Sequence, residues 1–135
     1  MPKKHIQPPE LFSGESLGFT QVVTSPPGEL VFISGQVAAD AELNPVGGTD
    51  LAAQAKQALK NLGHALAAAN ATPADVTLVR VYVVNYKPEY IETLGAALTG
   101  FFAGAKPPAS TWVGVQALAM PELMIEIEAI AVVNG

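Results

Sequence analysis

The sequence predicts an α+β domain of two layers, with two helices on one face of a mixed β-sheet. Runs rich in β-branched residues alternate with two longer segments whose apolar residues recur at helical spacing. The order is strand, strand, helix, strand, helix, strand, strand, which favours helices segregated to one side of a sheet. The 135 residues contain no repeat or linker, so we expect a single domain spanning residues 1–135.

The first two strands are predicted at residues 19–24 and 30–34, after an irregular polar segment at residues 1–16. Between them, Pro26, Pro27 and Gly28 favour a turn, because proline fixes φ and glycine permits positive φ. A β-hairpin is therefore expected here.

Two helices follow from the apolar periodicity. Thr49 or Asp50 is expected to cap the first helix, which ends near Asn70. The second helix is expected to start at Pro88, and the Lys106-Pro107-Pro108 run breaks it.

Three more strands are predicted at residues 76–84, 110–116 and 123–133. The last strand has one wholly aliphatic face, whereas its other face carries Glu126 and Glu128 among aliphatic neighbours. Because unpaired buried acids are costly, that second face should meet another surface that offers polar groups. Sorting each strand in this way predicts a mixed aromatic and polar face without helices: Phe32, Ser34, Arg80, Tyr82, Ser110, Trp112, Gln116, Glu126 and Glu128.

The composition limits the possible functions. Half of the residues are hydrophobic and only 14% are charged, which favours burial of surface in an oligomer. The net charge is -5 and the seven basic residues are scattered, which argues against a nucleic-acid partner. The absence of cysteine excludes thiol chemistry and disulfides, and two histidines argue against a zinc site. No signal peptide and no apolar run of membrane-spanning length is visible, so we expect a cytoplasmic protein.

Four motifs carry a resemblance to a known family: Phe32–Gln36, Gln57–Leu62, Pro107–Ala109 and Ile125–Ala131. Over residues 17–133, the chain resembles the reactive intermediate deaminase family, RidA or YjgF. The resemblance implies a YjgF/chorismate-mutase-like fold and a homotrimer whose sheets line a central barrel. It also implies a small-molecule site in each cleft between subunits. The best-known members hydrolyse enamines and imines, such as 2-aminoacrylate, to a keto acid and ammonia without a cofactor or metal.

The family's site transfers only in part. Active members have an arginine after Pro-Pro-Ala that clamps the substrate carboxylate, and this chain has Ser110 there. Trp112 stands where they often have cysteine, Phe19 where they have tyrosine, and Gly95 roughly where they have asparagine. The resemblance therefore implies a branch without the arginine, with weak or absent deaminase activity on 2-imino acids. It implies Glu126 as the acid that positions water, and these ligand-binding residues: Phe19, Ser34, Gly35, Ser110 and Trp112.

Two classes of function stay open. The first is a hydrolase of a small imine, enamine or related molecule, and the second is a non-catalytic trimeric binding or regulatory protein. Glu126 could instead belong to a paired interface network, and Trp112 could be an ordinary interface aromatic. The serines lack a histidine at any recognisable triad spacing, which argues against nucleophilic serine chemistry.

Arg80 is the only arginine and lies in the middle of a predicted strand. The family fold places this strand beside the last one, so Arg80 is predicted to pair with Glu128 or Glu126. Pairing with Glu128 would leave Glu126 free for a ligand or water, whereas pairing with Glu126 would favour the binding protein. Exposure of Arg80 to solvent, or pairing with a neighbouring subunit's acid, remains the alternative.

Overall fold

A computed structural model of the chain describes residues 3–133. The elements in chain order are β1 (Lys4–Ile6), β2 (Val22–Thr24), β3 (Glu29–Val37), α1 (Leu51–Ala68), β4 (Val76–Val84), α2 (Tyr90–Phe101), β5 (Ala109–Val115) and β6 (Ile125–Val133). Two single 3₁₀ turns lie at Glu15–Leu17 and Pro73–Asp75. The predicted domain of residues 1–135 extends beyond the described residues at both ends.

The main sheet has four strands in the order β3-β6-β4-β5. β6 runs antiparallel to both of its neighbours, and β4 runs parallel to β5. One face of the sheet and the apolar sides of both helices form a single buried core, which includes Leu62, Leu98, Val81 and Ile127. The predicted α+β fold with two layers and a mixed sheet is confirmed, and so is the position of β4 beside β6.

The predicted hairpin is wrong. β2 pairs with β1, with Lys4 opposite Thr24, whereas β3 pairs with β6. Thr20 holds the chain against the start of β5, because its N–H donates to the Pro108 carbonyl at 2.8 Å and its hydroxyl to the Pro107 carbonyl at 2.6 Å. Consecutive prolines in the connection to β3 also lack the N–H groups that a hairpin ladder uses.

The helix ends follow the local sequence closely. The Asp50 carboxylate caps α1 by accepting hydrogen bonds from the N–H groups of Ala52 and Ala53. Asn70 adopts φ of 57° just after α1 ends. α2 begins at Tyr90, because Pro88 and its neighbours form a preceding turn rather than the first helical residues.

Gln54 is a fully buried polar side chain that joins α1 to the segment before β6. Its amide nitrogen donates to the carbonyls of Gly48 at 2.7 Å and Glu122 at 2.9 Å. Its amide oxygen accepts from the Met124 N–H at 2.8 Å. These three bonds satisfy backbone groups next to β6, and therefore fix the start of the strand that carries Glu126.

The predicted faces of the strand that became β5 are wrong. Its register sets Thr111 beside Arg80 and Trp112 beside Val81. Paired residues share a face, so Ser110 and Trp112 lie on the helix side, and Thr111 and Val113 lie on the face without helices. Trp112 packs against the core, and Val113 is 39% exposed. Gln116 lies beyond the end of β5.

Candidate functional site

The face of the main sheet that carries no helices, here called the open face, joins apolar and charged side chains. On β3, Leu30 is 59% exposed and Phe32 is 71% exposed. Across β6 and β4, the pairs Glu128–Arg80 and Glu126–Tyr82 stand directly opposite each other. The predicted mixed character of this face is therefore present on β3, β4 and β6.

Arg80 pairs with Glu128, which is one of the two partners predicted from the sequence. A guanidinium nitrogen lies 3.8 Å from a Glu128 carboxylate oxygen. Tyr82 donates its phenol hydrogen bond to the same carboxylate. That hydrogen bond, together with burial and the negative charge of Glu128, raises the pKa of Tyr82. Glu128 is thus engaged by two neighbours, Arg80 and Tyr82.

Glu126 is placed differently from Glu128. Within residues 3–133 its carboxylate forms no ion pair and accepts no hydrogen bond. It lies against the backbone of Gly35, where an added Cβ would stand 2.5 Å from Glu126 Cδ. A register shift between Ile33 and Gln36 forms the bulge that holds Gly35, with Ser34 exposed beside it. We call Ser34, Gly35 and Glu126 the acid half-site.

The remaining predicted site residues lie together near β5, the edge strand opposite β3. The rings of Phe19 and Trp112 meet edge to face, with centroids 6.4 Å apart. Trp112 Nε1 donates to Ser110 Oγ at 3.0 Å. Phe12 packs edge to face on Phe19 at 5.9 Å and is 67% exposed. We call Phe12, Phe19, Ser110 and Trp112 the aromatic half-site.

Phe12 is a residue that the sequence reasoning missed. It lies in the polar N-terminal segment, and a large apolar residue in such a segment is the feature of the sequence that could have indicated it. Gly95, by contrast, does not line the aromatic half-site. It is buried in α2, where an added Cβ would lie 3.5 Å from the Leu17 Cα.

The two half-sites are separated within one chain. Gly35 is on β3 and Trp112 on β5, which are the two edge strands of the main sheet. Three interstrand spacings separate these edges, or about 14 Å. The Glu126 side chain is on the open face, whereas Trp112 is on the helix side. A single chain therefore does not bring all the predicted site residues together.

Two grooves of the described chain lie away from both half-sites. One of about 590 Å³ lies between α1 and α2, with Lys56 and Lys60 on its rim. Another of about 590 Å³ lies beside Tyr86 and Tyr90. A smaller cavity of about 170 Å³ is lined by His5, Gln7, Glu15, Thr20, Lys106 and Pro107.

Within residues 3–133, no group of three histidine, aspartate or glutamate residues is arranged to hold a metal ion. Within the same range, neither helix has the length and apolar character needed to cross a membrane.

Comparison with known protein families shows which family the chain belongs to. A family model described as Endoribonuclease L-PSP matches residues 15–133. The chain belongs to this family. Its structural relatives bear the names Rid and YjgF, so the resemblance to the RidA/YjgF family is confirmed.

Three solved structures illustrate the likeness. The Rid family protein YyfB from Yersinia pestis, described as of unknown function, is 44% identical with a TM-score of 0.95, over 98% of this chain and 100% of that chain. Rv2704 from Mycobacterium tuberculosis, a YjgF/YER057c/UK114 family member, is 31% identical with a TM-score of 0.64, over 97% and 99%. The E. coli YjgF gene product is 33% identical with a TM-score of 0.69, over 80% and 84%. A search of curated proteins finds no match.

Proposed function

We propose that this RidA-family protein forms a homotrimer that binds a small molecule in the cleft between subunits and hydrolyses an imine or enamine there. The observation that carries the proposal is the free Glu126 carboxylate over Gly35 on one side of the sheet, with an aromatic half-site at the opposite edge. In the proposed trimer, the aromatic half-site of one copy would face the acid half-site of the next, so that each cleft contains both.

The surface supports assembly. Leu30, Phe32 and Val113 are large apolar residues left exposed on the sheet. Exposed apolar patches on a sheet, and edge strands without partners, are typical of protein interfaces. Three sheets that line a central barrel, as the family resemblance implies, would cover the open face.

The proposed chemistry needs one general base and no cofactor. Glu126 would accept a proton from a water molecule while the water oxygen attacks the imine carbon. Glu126 then passes that proton to nitrogen, and the resulting carbinolamine collapses: its hydroxyl proton goes through Glu126 to nitrogen as the C=O bond forms, and the C–N bond breaks with its electrons on nitrogen. An enamine would first take a proton on carbon to become an imine. Gly35 supports this role, because any larger side chain there would displace the carboxylate.

We propose that hydrolysis of 2-imino acids is weak or absent. The substrate carboxylate would need a cationic partner in the cleft, and Ser110 carries no charge and already accepts a hydrogen bond from Trp112. Loss of one charge-assisted hydrogen bond costs about 1.5–3 kcal/mol. That corresponds to roughly tenfold to over a hundredfold in rate if the contact acts in the transition state.

The test compares two substrates with and without a carboxylate. 2-Aminoacrylate is generated in situ by a serine dehydratase, and the cyclic imine 1-pyrroline is supplied directly. We expect slow or no turnover of 2-aminoacrylate relative to an arginine-bearing relative, and loss of any imine hydrolysis in Glu126→Gln. Glu92→Gln on the exposed side of α2 is the control, because it makes the same change in net charge. Rates on 2-aminoacrylate equal to those of the relative would refute the proposal for this substrate.

The second candidate is a trimeric binding or regulatory protein without chemistry. The observation that favours it is the aromatic half-site itself, whose one hydroxyl is engaged by Trp112. Saturable binding of a small molecule without turnover of any imine would identify this function.

The charge of this chain does not favour the endoribonuclease activity that the family's description names. Its net charge is -5 and its seven basic residues are scattered. Binding of RNA depends on clustered positive charge that neutralises phosphates.

A further inference from the structure

We infer that the cleft selects a small planar organic cation without a carboxylate, such as a protonated imine or an amidinium. This inference rests on the proposed function, since it requires the aromatic half-site of one subunit to face the acid half-site of the next. It adds the charge and class of the ligand, which the fold alone does not define.

The aromatic half-site offers ring surface and no charge. Its four residues are three aromatics and one serine, and the serine hydroxyl is held by the indole N–H. Cations are attracted to the faces of such rings, whereas an anion placed there gains nothing from them. Lys106 lines a separate small cavity, together with His5, Glu15 and Thr20.

The acid half-site offers an uncompensated negative charge. Arg80 is the only arginine, and it pairs with Glu128 instead of Glu126. Tyr82, the residue opposite Glu126, donates its hydroxyl hydrogen to Glu128 as well. Within residues 3–133, Glu126 therefore has no cationic partner and no hydrogen-bond donor. Ring faces on one wall and a free carboxylate on the other form the usual environment for an organic cation.

This charge pattern also suits the reaction. A protonated imine is more electrophilic at carbon than the neutral imine, and a nearby carboxylate stabilises it. Water would add to that carbon while Glu126 takes one of its protons and passes it to nitrogen. The hydroxyl proton would then go to Glu126 as the C=O bond forms and the C–N bond breaks with its electrons on nitrogen. For a cyclic imine both products stay in one molecule, an amino aldehyde, so water is the only co-reactant.

A matched series of three planar probes isolates charge from shape. Benzamidinium, benzamide and benzoate have nearly the same size and carry a positive, a neutral and a negative group. Trp112 is the only tryptophan, so intrinsic fluorescence reports the aromatic half-site directly. We expect saturable quenching by benzamidinium, with affinity at least about tenfold above that for benzamide, and no saturation by benzoate.

Three variants assign the effect to the site. Glu126→Gln should bring the affinity for benzamidinium down to that for benzamide, and Phe19→Leu should weaken benzamidinium binding while the trimer stays intact. Glu92→Gln is the control for net charge and should leave the series unchanged. Sedimentation is measured on every sample, so that loss of assembly is recognised.

The outcomes separate this inference from the proposed function. A trimer that binds benzoate as tightly as benzamidinium, or that binds none of the three probes at millimolar concentration, overturns the cation selectivity and leaves the shared cleft standing. A stable monomer overturns the shared cleft itself.

Discussion

Removal of the Arg80 side chain is expected to weaken the assembled protein far more than a typical surface change. Arg80 lies in the middle of β4 on the open face, and Glu128 stands directly opposite it on β6. The proposed trimer covers this face, so the pair would lose its water. Arg80→Ala would then leave Glu128 charged and dry, with only the Tyr82 hydroxyl to bond it.

The size of the effect depends on whether the face is covered. In the isolated chain the two side chains are 43% and 34% exposed and 3.8 Å apart, so solvent screens them. Exposed pairs of this kind contribute about 0.2–1 kcal/mol. Removal of one partner from a buried pair costs about 3–5 kcal/mol. The two situations therefore predict clearly different results.

The assay is urea unfolding at two protein concentrations, combined with sedimentation. Arg80→Ala, Glu128→Gln and the double variant form a cycle, and Lys60→Ala on the exposed side of α1 is the control. We expect Arg80→Ala to cost about 3–5 kcal/mol, and the double variant to cost less because no charge is stranded. A cost below about 1 kcal/mol with the trimer intact would refute burial of this pair.

Three further predictions concern stability. Gln54→Leu should cost about 2–5 kcal/mol in urea unfolding, because it removes three buried hydrogen bonds; a loss under 1 kcal/mol would contradict this. The pKa of Tyr82 is raised above its ordinary value of 10.0, so this group stabilises the fold fully below pH 10.0, and the stabilisation is lost as the pH rises through the pKa of the folded state. Tyr82→Phe should therefore reduce the fall of the melting temperature at alkaline pH. Burial, Lys106 and Lys3 lower the pKa of His5 below 6.5, so its contribution to stability should be complete above pH 6.5 and fall at lower pH. The fall should be smaller in His5→Gln, and identical dependence of the melting temperature on acid pH in both proteins would argue against it.

The sequence was informative wherever one pattern dominated a segment. The alternation of β6 and the β-branched run of β4 predicted both strands. The pairing of Arg80 with Glu128 or Glu126 needed the family resemblance as well, because only the family fold placed these two strands side by side, and the structure shows the pair with Glu128. The Asp50 cap and the apolar stripe predicted α1 in the same way. These features are local or follow from one face being buried, so short-range reasoning reaches them.

The errors arose where local pattern was ambiguous. β5 has apolar residues on both faces, Trp112 on one and Val113 on the other, and a choice of the wrong face inverts every side chain. β1 pairs with β2 across a long polar loop, which leaves no periodic signal. For the same reason Phe12 was not expected beside Phe19. The separation of the predicted site residues within one chain follows from strand order, which periodicity alone does not define.

The claim that the aromatic half-site of one subunit faces the acid half-site of the next can be tested without any ligand. The chain has no cysteine and one tryptophan, so a Ser34→Cys, Trp112→Phe variant can carry a single contact-range nitroxide quencher and no tryptophan of its own. This labelled variant is refolded together with the unlabelled wild type. The account predicts that Trp112 fluorescence of the wild-type chains falls in the mixed trimers and recovers when the nitroxide is reduced. Mixed trimers with unquenched Trp112 would contradict the shared cleft.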